Sequence, residues 1–186
     1  MSIRSRNAFA VPCTSPSSSS AAQSLNNLNM STLRPFTASD MFKFNNIVQE
    51  APSGRMMGYV IGKAEGSNAE WHGHVTALTV APEYRRLGLA RKMMVLLETV
   101  SDEVYKGFFV DLYVRCANNI AINMYEGFGY SVYRRVREYY GSLGAGKGGR
   151  DEEDAFDMRK PLSKDSARRS IRPNGRDMIV SAHDVS

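Results

Sequence analysis

Cysteine is scarce in this chain, and long apolar runs are missing from it. Cys13 and Cys116 are its only two cysteines, and they lie in very different contexts. We therefore expect neither a disulfide framework nor a cysteine-ligated zinc cluster, and a reducing compartment is the default. No stretch approaches the roughly 20 apolar residues that span a bilayer, so the sequence predicts no membrane association.

A clear excess of positive over negative charge is also missing from the middle of the chain, although the whole sequence carries a net charge of +5. Residues 1–29 contain two arginines and no acid, and residues 163–186 contain five basic and three acidic side chains. The residues between them are nearly balanced. Direct nucleic-acid binding needs clustered positive charge on the folded part, and we do not expect it here.

The composition divides the chain into three parts. Residues 1–29 are rich in serine and poor in core-forming residues, which predicts a disordered N-terminal extension. Two interpretations of this segment stay open: an extension upstream of a second start at Met30, or an organelle transit peptide, which has arginine and serine but no acid. Residues 30–162 form the expected folded domain. Residues 163–186 form a basic C-terminal tail, either solvated or docked on an acidic partner.

Hydrophobic patterning within the domain predicts alternating strands and helices. Alternation or continuous apolar runs indicate strands near 32–36, 56–65, 71–82, 107–115, 130–140 and 154–162. Helical spacing of apolar residues indicates helices after Asp40, over 87–100 and over 118–129. The order predicts an α/β protein with a central mixed β-sheet and helices on both faces.

The segment RRLGLARKM, residues 85–93, joins a predicted strand to a predicted helix. The first turn of a helix has amides without intrahelical partners and the positive end of the helix dipole. Gly88 permits close approach of a ligand, and Arg85 and Arg86 add positive charge. These features suit a diphosphate. An ordinary connection with solvated arginines fits the same spacing equally well.

The motif Arg85-x-x-Gly88-x-Ala90, which follows LTVAP and precedes NNIAINMYEGFGY, resembles the acetyl-CoA signature of the GNAT acetyltransferases. The segments FVDLYVR, NMYEGFGYSVYR, EYY and DAFDMRK together resemble the catalytic subunits of NatB, which are N-terminal acetyltransferases. The resemblance runs from Met30 to about Ile171. It implies a GNAT fold and acetyl-CoA as co-substrate, with no metal.

The resemblance also implies roles for individual residues on the cofactor side. The CoA diphosphate would rest on the backbone amides of one turn, formed by Arg85, Arg86, Gly88, Leu89 and Ala90. Backbone N–H groups of the strand that ends at Val80 would polarise the thioester carbonyl. Asn118 would bond to the pantetheine arm, and Tyr125 would protonate the departing thiolate. The alternative interpretation of Tyr125 is a core aromatic residue.

Candidate residues for the acceptor side lie on two strands. His72 and His74 alternate along one strand, so both point to the same face together with Thr76. The family pattern places His74 in the acceptor site, where it would hold a proton-accepting water or contact the peptide, whereas we interpret His72 as a structural residue. By resemblance, Tyr139 and Tyr140 bind the substrate backbone. Because neighbours on a strand point to opposite faces, geometry alone supports only one of these tyrosines unless a bulge intervenes.

The chain departs from the family pattern after Ile47. In the family a loop, a second helix and the start of a strand separate the segments that correspond to FNNI and EAP, and here these segments nearly adjoin. We therefore predict that the first helical region is truncated and that the second strand is reduced to about Val48–Glu50. The acceptor site loses one wall, and the strand over residues 56–65 loses most of a neighbour.

The resemblance implies an enzyme that acetylates the α-amino group of nascent chains beginning with Met followed by Asp, Glu, Asn or Gln. It further implies work in the cytosol beside ribosomes with a large helical-repeat auxiliary subunit. Two alternatives stay open. The apparent deletion favours a catalytically impaired variant that binds acetyl-CoA or the auxiliary subunit without turnover. A GNAT enzyme that acts on lysines or small amines is the other.

Overall fold

The computed structural model describes residues 32–33, 49–50, 56–140 and 154–185. The predicted N-terminal extension, the predicted helix after Asp40 and the glycine-rich segment 141–150 lie outside these residues. The chain forms two compact units, Met1–Gly62 with Thr76–Leu96 and Lys63–Val75 with Leu97–Ser186. The boundaries between the units fall inside two strands and one helix.

The first unit contains three antiparallel strands in sequence order. Strand β1 is Thr32–Leu33, β2 is Gln49–Glu50 and β3 is Met56–Glu65. Strand β2 pairs with both of its neighbours. The expectation of a very short second strand is therefore met, and the bounds predicted for β3 agree with the structure.

The apolar core of the first unit fixes the start of helix α1 (Leu89–Thr99). Leu89 and Met93, one helical turn apart, are buried against Met57 of β3. Partly buried apolar residues pack around this group: Val60, Leu78, Val80 and Tyr84. Full burial of one Leu or Met side chain stabilises a fold by about 1.5–3 kcal/mol, so this small core holds α1 and the turn before it in place.

The second unit contains a mixed sheet. Strand β4 (His72–Val80) is parallel to β5 (Phe109–Arg115), and the two pair over three residues each. Strand β7 (Ala155–Pro161) lies between β5 and β6 (Ser131–Arg137) and is antiparallel to both. Strand β8 (Ile179–Ser181) is parallel to β6. The predicted α/β class and mixed sheet are confirmed.

Strand β5 lies at the centre of this second core. Its apolar residues Phe109, Val110, Leu112 and Val114 are all buried, as the continuous apolar run predicted. Asp111, the charged residue among them, is buried as well. A carboxylate in such a place needs hydrogen-bond or charge partners, since burying an unpaired charge is very costly.

Helix α2 (Asn119–Gly127) is defined at both ends by its sequence. The side-chain oxygen of Asn118 accepts a hydrogen bond from the Ala121 amide at 3.1 Å, which is an N-cap. After the helix, Gly129 takes the left-handed conformation with φ +93° that commonly ends helices. Neither α1 nor α2 has the length and apolar content needed to cross a bilayer, and this holds for every helix in the part of the chain that the structure describes.

Residues 163–185 fold as part of the second unit, which the sequence did not predict. Asp165 accepts hydrogen bonds from the amides of Arg169 and Ser170 at 2.9 and 3.0 Å, and β8 then extends the sheet. Gly175 permits close approach to β6, because a Cβ at this position would lie 1.8 Å from the Val132 carbonyl oxygen. The basic tail is therefore folded through Val185, and most of its residues are exposed on the surface.

Candidate active site

The turn between β4 and α1, in the first unit, has an unusual backbone. Arg86 and Gly88 both lie in the left-handed region, with φ +66° and +75°. The Arg85 guanidinium donates from Nε to the Val80 carbonyl oxygen at 3.2 Å. The Lys92 amide donates to the Gly88 carbonyl oxygen at 3.1 Å, so the helical hydrogen bonds begin there. Turns of this kind point successive amides to one side and form anion sites.

The residues of this turn fit a CoA diphosphate. A Cβ added to Gly88 would meet no atom within 4 Å, so packing does not explain the glycine. The glycine is explained instead by its positive φ and by the open space beside it. Arg85 and Arg86 are exposed, whereas Leu89 is buried and anchors the helix start. The geometry is compatible with a phosphate cradle, and this role of the turn stays a prediction.

The remaining predicted residues of the first unit have simple environments. Val80 belongs to the apolar cluster around α1, and its carbonyl oxygen accepts a hydrogen bond from Arg85. Thr76 is exposed, and Ala90 is half-buried in the first turn of α1. Their roles in thioester, peptide and CoA binding stay predictions. In the second unit, Asn118 uses its side-chain oxygen as the helix cap, so a contact with pantetheine would have to come from its amide nitrogen.

Tyr125 projects from α2 into an aromatic group within the second unit. Its ring makes edge contacts with Phe128 and Tyr130, at centroid distances of 6.3 and 5.9 Å. Burial, together with the neighbouring phenol of Tyr140, raises the pKa of Tyr125 to about 12. Its hydroxyl therefore keeps its proton throughout the physiological pH range. Such a group can donate a proton or a hydrogen bond but does not act as an anion.

Tyr130, which the Tyr125 ring contacts, is held by a polar pair formed by Glu98 and Lys160. The Tyr130 hydroxyl donates to Glu98 Oε1 at 3.0 Å, and Lys160 Nζ donates to Glu98 Oε2 at 2.6 Å. Burial and the Glu98 carboxylate raise the pKa of Tyr130 well above its usual range. Tyr130 is therefore a fixed surface against which the Tyr125 ring packs.

His74 is held by the buried carboxylate of Asp111. The two residues are paired in the β4–β5 register, and His74 Nδ1 lies 2.8 Å from Asp111 Oδ1. Burial alone would raise the pKa of Asp111, but the His74 hydrogen bond and the charges of His72 and Arg159 lower it overall. Because an ionised carboxylate only accepts hydrogen bonds, Nδ1 of His74 must carry the proton. In the neutral ring, Nε2 of His74 is then the hydrogen-bond acceptor.

Tyr139 and Tyr140 lie on the same side of the chain, which corrects the expectation from strand alternation. Strand β6 ends at Arg137, and Glu138 takes φ +54°, so both tyrosines belong to a turn. Tyr139 stacks on Tyr113 with centroids 4.4 Å apart. The Tyr140 hydroxyl donates to the Tyr113 carbonyl oxygen at 3.3 Å.

These contacts form an aromatic surface beside His74 in the second unit. The Tyr113 and His74 rings are 5.8 Å apart. The Arg115 guanidinium lies 4.1 Å above the Tyr140 ring, which adds a cation–π contact. The predicted acceptor residues His74, Tyr139 and Tyr140 are thus brought together around Tyr113.

Sequence reasoning missed Asp111 and Tyr113, which join these residues. A signal for Asp111 was present, because a single acid inside the apolar run FFVDLYV requires a partner. Its partner could not be identified without the β4–β5 register. Tyr113 had no signal of its own, since an aromatic residue in a buried strand usually packs in the core.

Comparison with known proteins places the chain in a family. The family model described as "Acetyltransferase (GNAT) family" matches residues 23–130, more than half of the chain. The chain therefore belongs to the GNAT acetyltransferase family. Within it, the chain is 49% identical over 185 residues to the N-terminal acetyltransferase B complex catalytic subunit naa20 of Schizosaccharomyces pombe, covering 84% of this chain and 99% of the relative.

Further relatives agree. The chain is 43% identical to the corresponding NAA20 subunit of Arabidopsis thaliana, over 77% of this chain and 92% of that one. The structure of Chaetomium thermophilum Naa20 in complex with a bisubstrate analogue matches with a TM-score of 0.67 at 38% identity, covering 88% of this chain and 95% of that chain. These relatives are catalytic subunits of N-terminal acetyltransferase B complexes, and the chain shares their GNAT fold.

The comparison also bears on the gap in the sequence. The alignment with the S. pombe relative runs over 185 residues but covers 84% of this 186-residue chain, which is about 156 residues. About 29 aligned positions therefore have no counterpart in this chain. This total is of the size of the predicted deletion, whose position after Ile47 stays a prediction.

Proposed function

We propose that this protein transfers the acetyl group of acetyl-CoA to the α-amino group of nascent chains that begin with Met followed by Asp, Glu, Asn or Gln. The observation that carries the proposal is the identity of 39–49% to NatB catalytic subunits from S. pombe and Saccharomyces cerevisiae, each covered over 99% of its length. Acetyl-CoA as donor is supported by the solved NatB complex bound to CoA, which matches with a TM-score of 0.52 at 37% identity.

Residues of the first unit bind the donor in this proposal. The amides of the turn from Arg85 to Ala90 hold the diphosphate, and the two arginines add charge that the phosphates neutralise. The thioester supplies the activated acetyl group. Backbone N–H groups of β4 polarise its carbonyl, where hydrogen bonds to developing negative charge lower the barrier.

Residues of the second unit carry out the proton transfers. An N-terminal amine has a pKa of about 7.7–8.0, so it is partly neutral in the cell and needs only modest help. His74, oriented by Asp111, accepts the amine proton at Nε2 directly or through a water. The neutral phenol of Tyr125 donates a hydrogen bond to the sulfur as the carbon–sulfur bond breaks, which stabilises the departing thiolate until it takes a proton. Tyr139 and Tyr140 hold the peptide backbone.

The relatives are named catalytic subunits of a complex, which supports a complex for this chain as well. We propose that it works with a helical-repeat auxiliary subunit on ribosome-associated nascent chains in the cytosol. The test mixes the purified chain with the auxiliary subunit, acetyl-CoA and a panel of peptides. The proposal predicts acetylated α-amines on Met-Asp and Met-Glu peptides, and none on Ser-Ala peptides or on lysine side chains. Acetylation of lysines or small amines alone would overturn it.

A second candidate is favoured by the missing segment. With about 29 aligned positions absent, the acceptor site would lose a wall while the phosphate turn stays intact. The chain would then bind acetyl-CoA and the auxiliary subunit without turnover. The same mixture separates the candidates, because complex formation without acetylated peptide identifies the impaired form.

A further inference from the structure

Four ligating side chains of the second unit converge beside the predicted acceptor site. We call this group, Glu65, His72, His74 and Asp111, the His–carboxylate cluster. Ligand atoms of Glu65, His72 and His74 all lie within 4.8 Å of one another. Asp111, which is only 3% exposed, lies on the buried side of the group. The proposed reaction uses His74 and Asp111 but leaves Glu65 and His72 without a role.

Four separations within the cluster lie near those expected in a tetrahedral zinc site. Bonds of about 2.0–2.1 Å to nitrogen and oxygen imply ligand atoms about 3.3–3.4 Å apart. His72 Nε2 lies 3.4 Å from Asp111 Oδ1 and 3.8 Å from Glu65 Oε1. His74 Nδ1 lies 2.8 Å from Asp111 Oδ1 and 3.6 Å from Glu65 Oε1. For these four pairs, shifts of about half an ångström would reach the expected separations, and the ligand nitrogens of the two histidines lie within 4.8 Å of each other.

The surroundings of His72 resemble those of a metal ligand. Its Nδ1 lies 2.5 Å from the Glu70 carbonyl oxygen, to which it donates, so in the neutral ring the lone pair is on Nε2, which faces the cluster. Metal-ligating histidines almost always use the second nitrogen in this way. The His72 ring also stacks on Phe109 with centroids 4.6 Å apart, which restricts its rotation. A purely structural histidine at a strand end does not require this arrangement.

The donor set selects among metals. Two imidazoles and two carboxylates suit zinc and its neighbours in the transition series, whereas Mg²⁺ and Ca²⁺ prefer oxygen ligands. The histidine side chains are 12% exposed and that of Glu65 is 37% exposed, so an ion can enter from the Glu65 side. Lys63 Nζ lies 2.5 Å from Glu65 Oε2, which leaves Oε1 directed toward the histidines.

We propose that the His–carboxylate cluster is a Zn²⁺-binding site and that zinc, when bound, switches off acetyl transfer. Zinc takes the place of the proton on His74 Nδ1, the neutral ring then carries its proton on Nε2, and the hydrogen bond from Nδ1 to Asp111 is lost. His74 can then no longer accept the amine proton through Nε2 in the proposed way. This second part rests on the role proposed for His74, whereas zinc binding by the cluster does not.

The binding test uses the full chain without a polyhistidine tag and Zn²⁺ alone as the probe. Isothermal titration in a zinc-buffered solution should show one zinc ion per chain. Glu65→Gln and His72→Asn should each weaken binding by about tenfold to a hundredfold or more. The matched control is His183→Asn, which removes the remaining histidine of the chain, far along the sequence and exposed. It should bind zinc as the parent does.

A spectroscopic measurement completes the binding test. Co²⁺ in place of Zn²⁺ should give the intense visible absorption of a tetrahedral site, and Glu65→Gln should abolish it. The absence of zinc binding overturns the proposal, as does binding that neither cluster variant weakens. Because Glu65 is partly exposed, its variant is expected to fold, and circular dichroism checks that it does.

The activity test is separate. Zinc at a concentration that saturates the parent should abolish acetyl transfer, and a chelator should restore it. Glu65→Gln should need about tenfold more zinc for the same loss. If zinc binds to the cluster but the parent keeps its full rate, the inhibitory role is refuted while the site remains. If the protein proves to have no acetyltransferase activity, only this activity test is lost, and the calorimetry still decides the binding claim.

Discussion

Replacing Tyr125 by Phe removes one hydroxyl and leaves the aromatic packing in place. The Tyr125 ring contacts Phe128 and Tyr130 by its edges, and Phe can keep both contacts. Folding and acetyl-CoA affinity should therefore be retained. What is lost is the group that donates to the leaving sulfur.

The pKa of Tyr125 sets the size of the expected effect. Burial raises this pKa to about 12. The conjugate acid of a thiolate has a pKa near about 8.5, so complete proton transfer to sulfur would be uphill by about 5 kcal/mol at about 1.36 kcal/mol per unit. The main contribution of Tyr125 is then a hydrogen bond to a charged atom, worth about 1.5–3 kcal/mol. We expect kcat of Tyr125→Phe to fall by about 10- to 150-fold, with little change in KM for acetyl-CoA.

The assay is steady-state acetylation of a Met-Asp peptide with the auxiliary subunit present. Tyr130→Phe is the matched control, since it removes a neighbouring hydroxyl that donates to Glu98. It should reduce kcat less than Tyr125→Phe does. The rate of the parent should also show no decline near pH 10 from phenol ionisation, because the pKa of Tyr125 lies higher. An unchanged kcat in Tyr125→Phe would refute the assignment.

Three further predictions follow from the site. Gly88→Val forces a β-branched residue into a backbone with φ +75° and should raise KM for acetyl-CoA at least about tenfold, whereas Gly127→Ala, which also meets open space but lacks a positive φ, should not. Asp111→Asn should lower the free energy of unfolding at pH 7 by about 1–3 kcal/mol in urea titrations. Because the pKa of Asp111 is lowered on folding, its charge stabilises the fold above the unfolded pKa. This contribution is lost as the pH falls through the folded pKa, so parent and variant should converge in strong acid, and a constant difference would contradict the reasoning. Tyr139→Ala should raise KM for the peptide about threefold to tenfold through loss of a stacked pair, and Tyr139→Phe should not if stacking is its main role.

The sequence predicted most of the regular structure because local signals and tertiary packing agree. Strand β3 over Met56–Glu65 and the burial of β5 were both expected from their apolar patterns. Strand β8 was missed, because three residues carry no periodicity and this strand exists only through pairing with β6. The segment over residues 163–186 was predicted to be a basic tail because of its charge. Charge does not indicate that Asp165 accepts hydrogen bonds from neighbouring amides.

The candidate site was predicted in part, for physical reasons that differ between residues. The turn from Arg85 to Ala90 could be proposed as a phosphate site because its glycine and arginines are adjacent in the sequence and resemble a family motif. Strand alternation predicted that Tyr139 and Tyr140 point to opposite faces, and this was wrong. Glu138 adopts a left-handed backbone, which its residue type does not indicate. The pairing of His74 with Asp111 depends on the register of two strands that are distant in sequence. Such contacts require the folded structure.

The most direct test of the account is calorimetric titration of the folded chain with acetyl-CoA. The account predicts one acetyl-CoA bound per chain, with affinity reduced at least about tenfold in Gly88→Val and unchanged in Gly127→Ala. Absence of binding heat for well-folded protein, or equal affinity in all three proteins, would contradict the claim that the turn from Arg85 to Ala90 holds the CoA diphosphate.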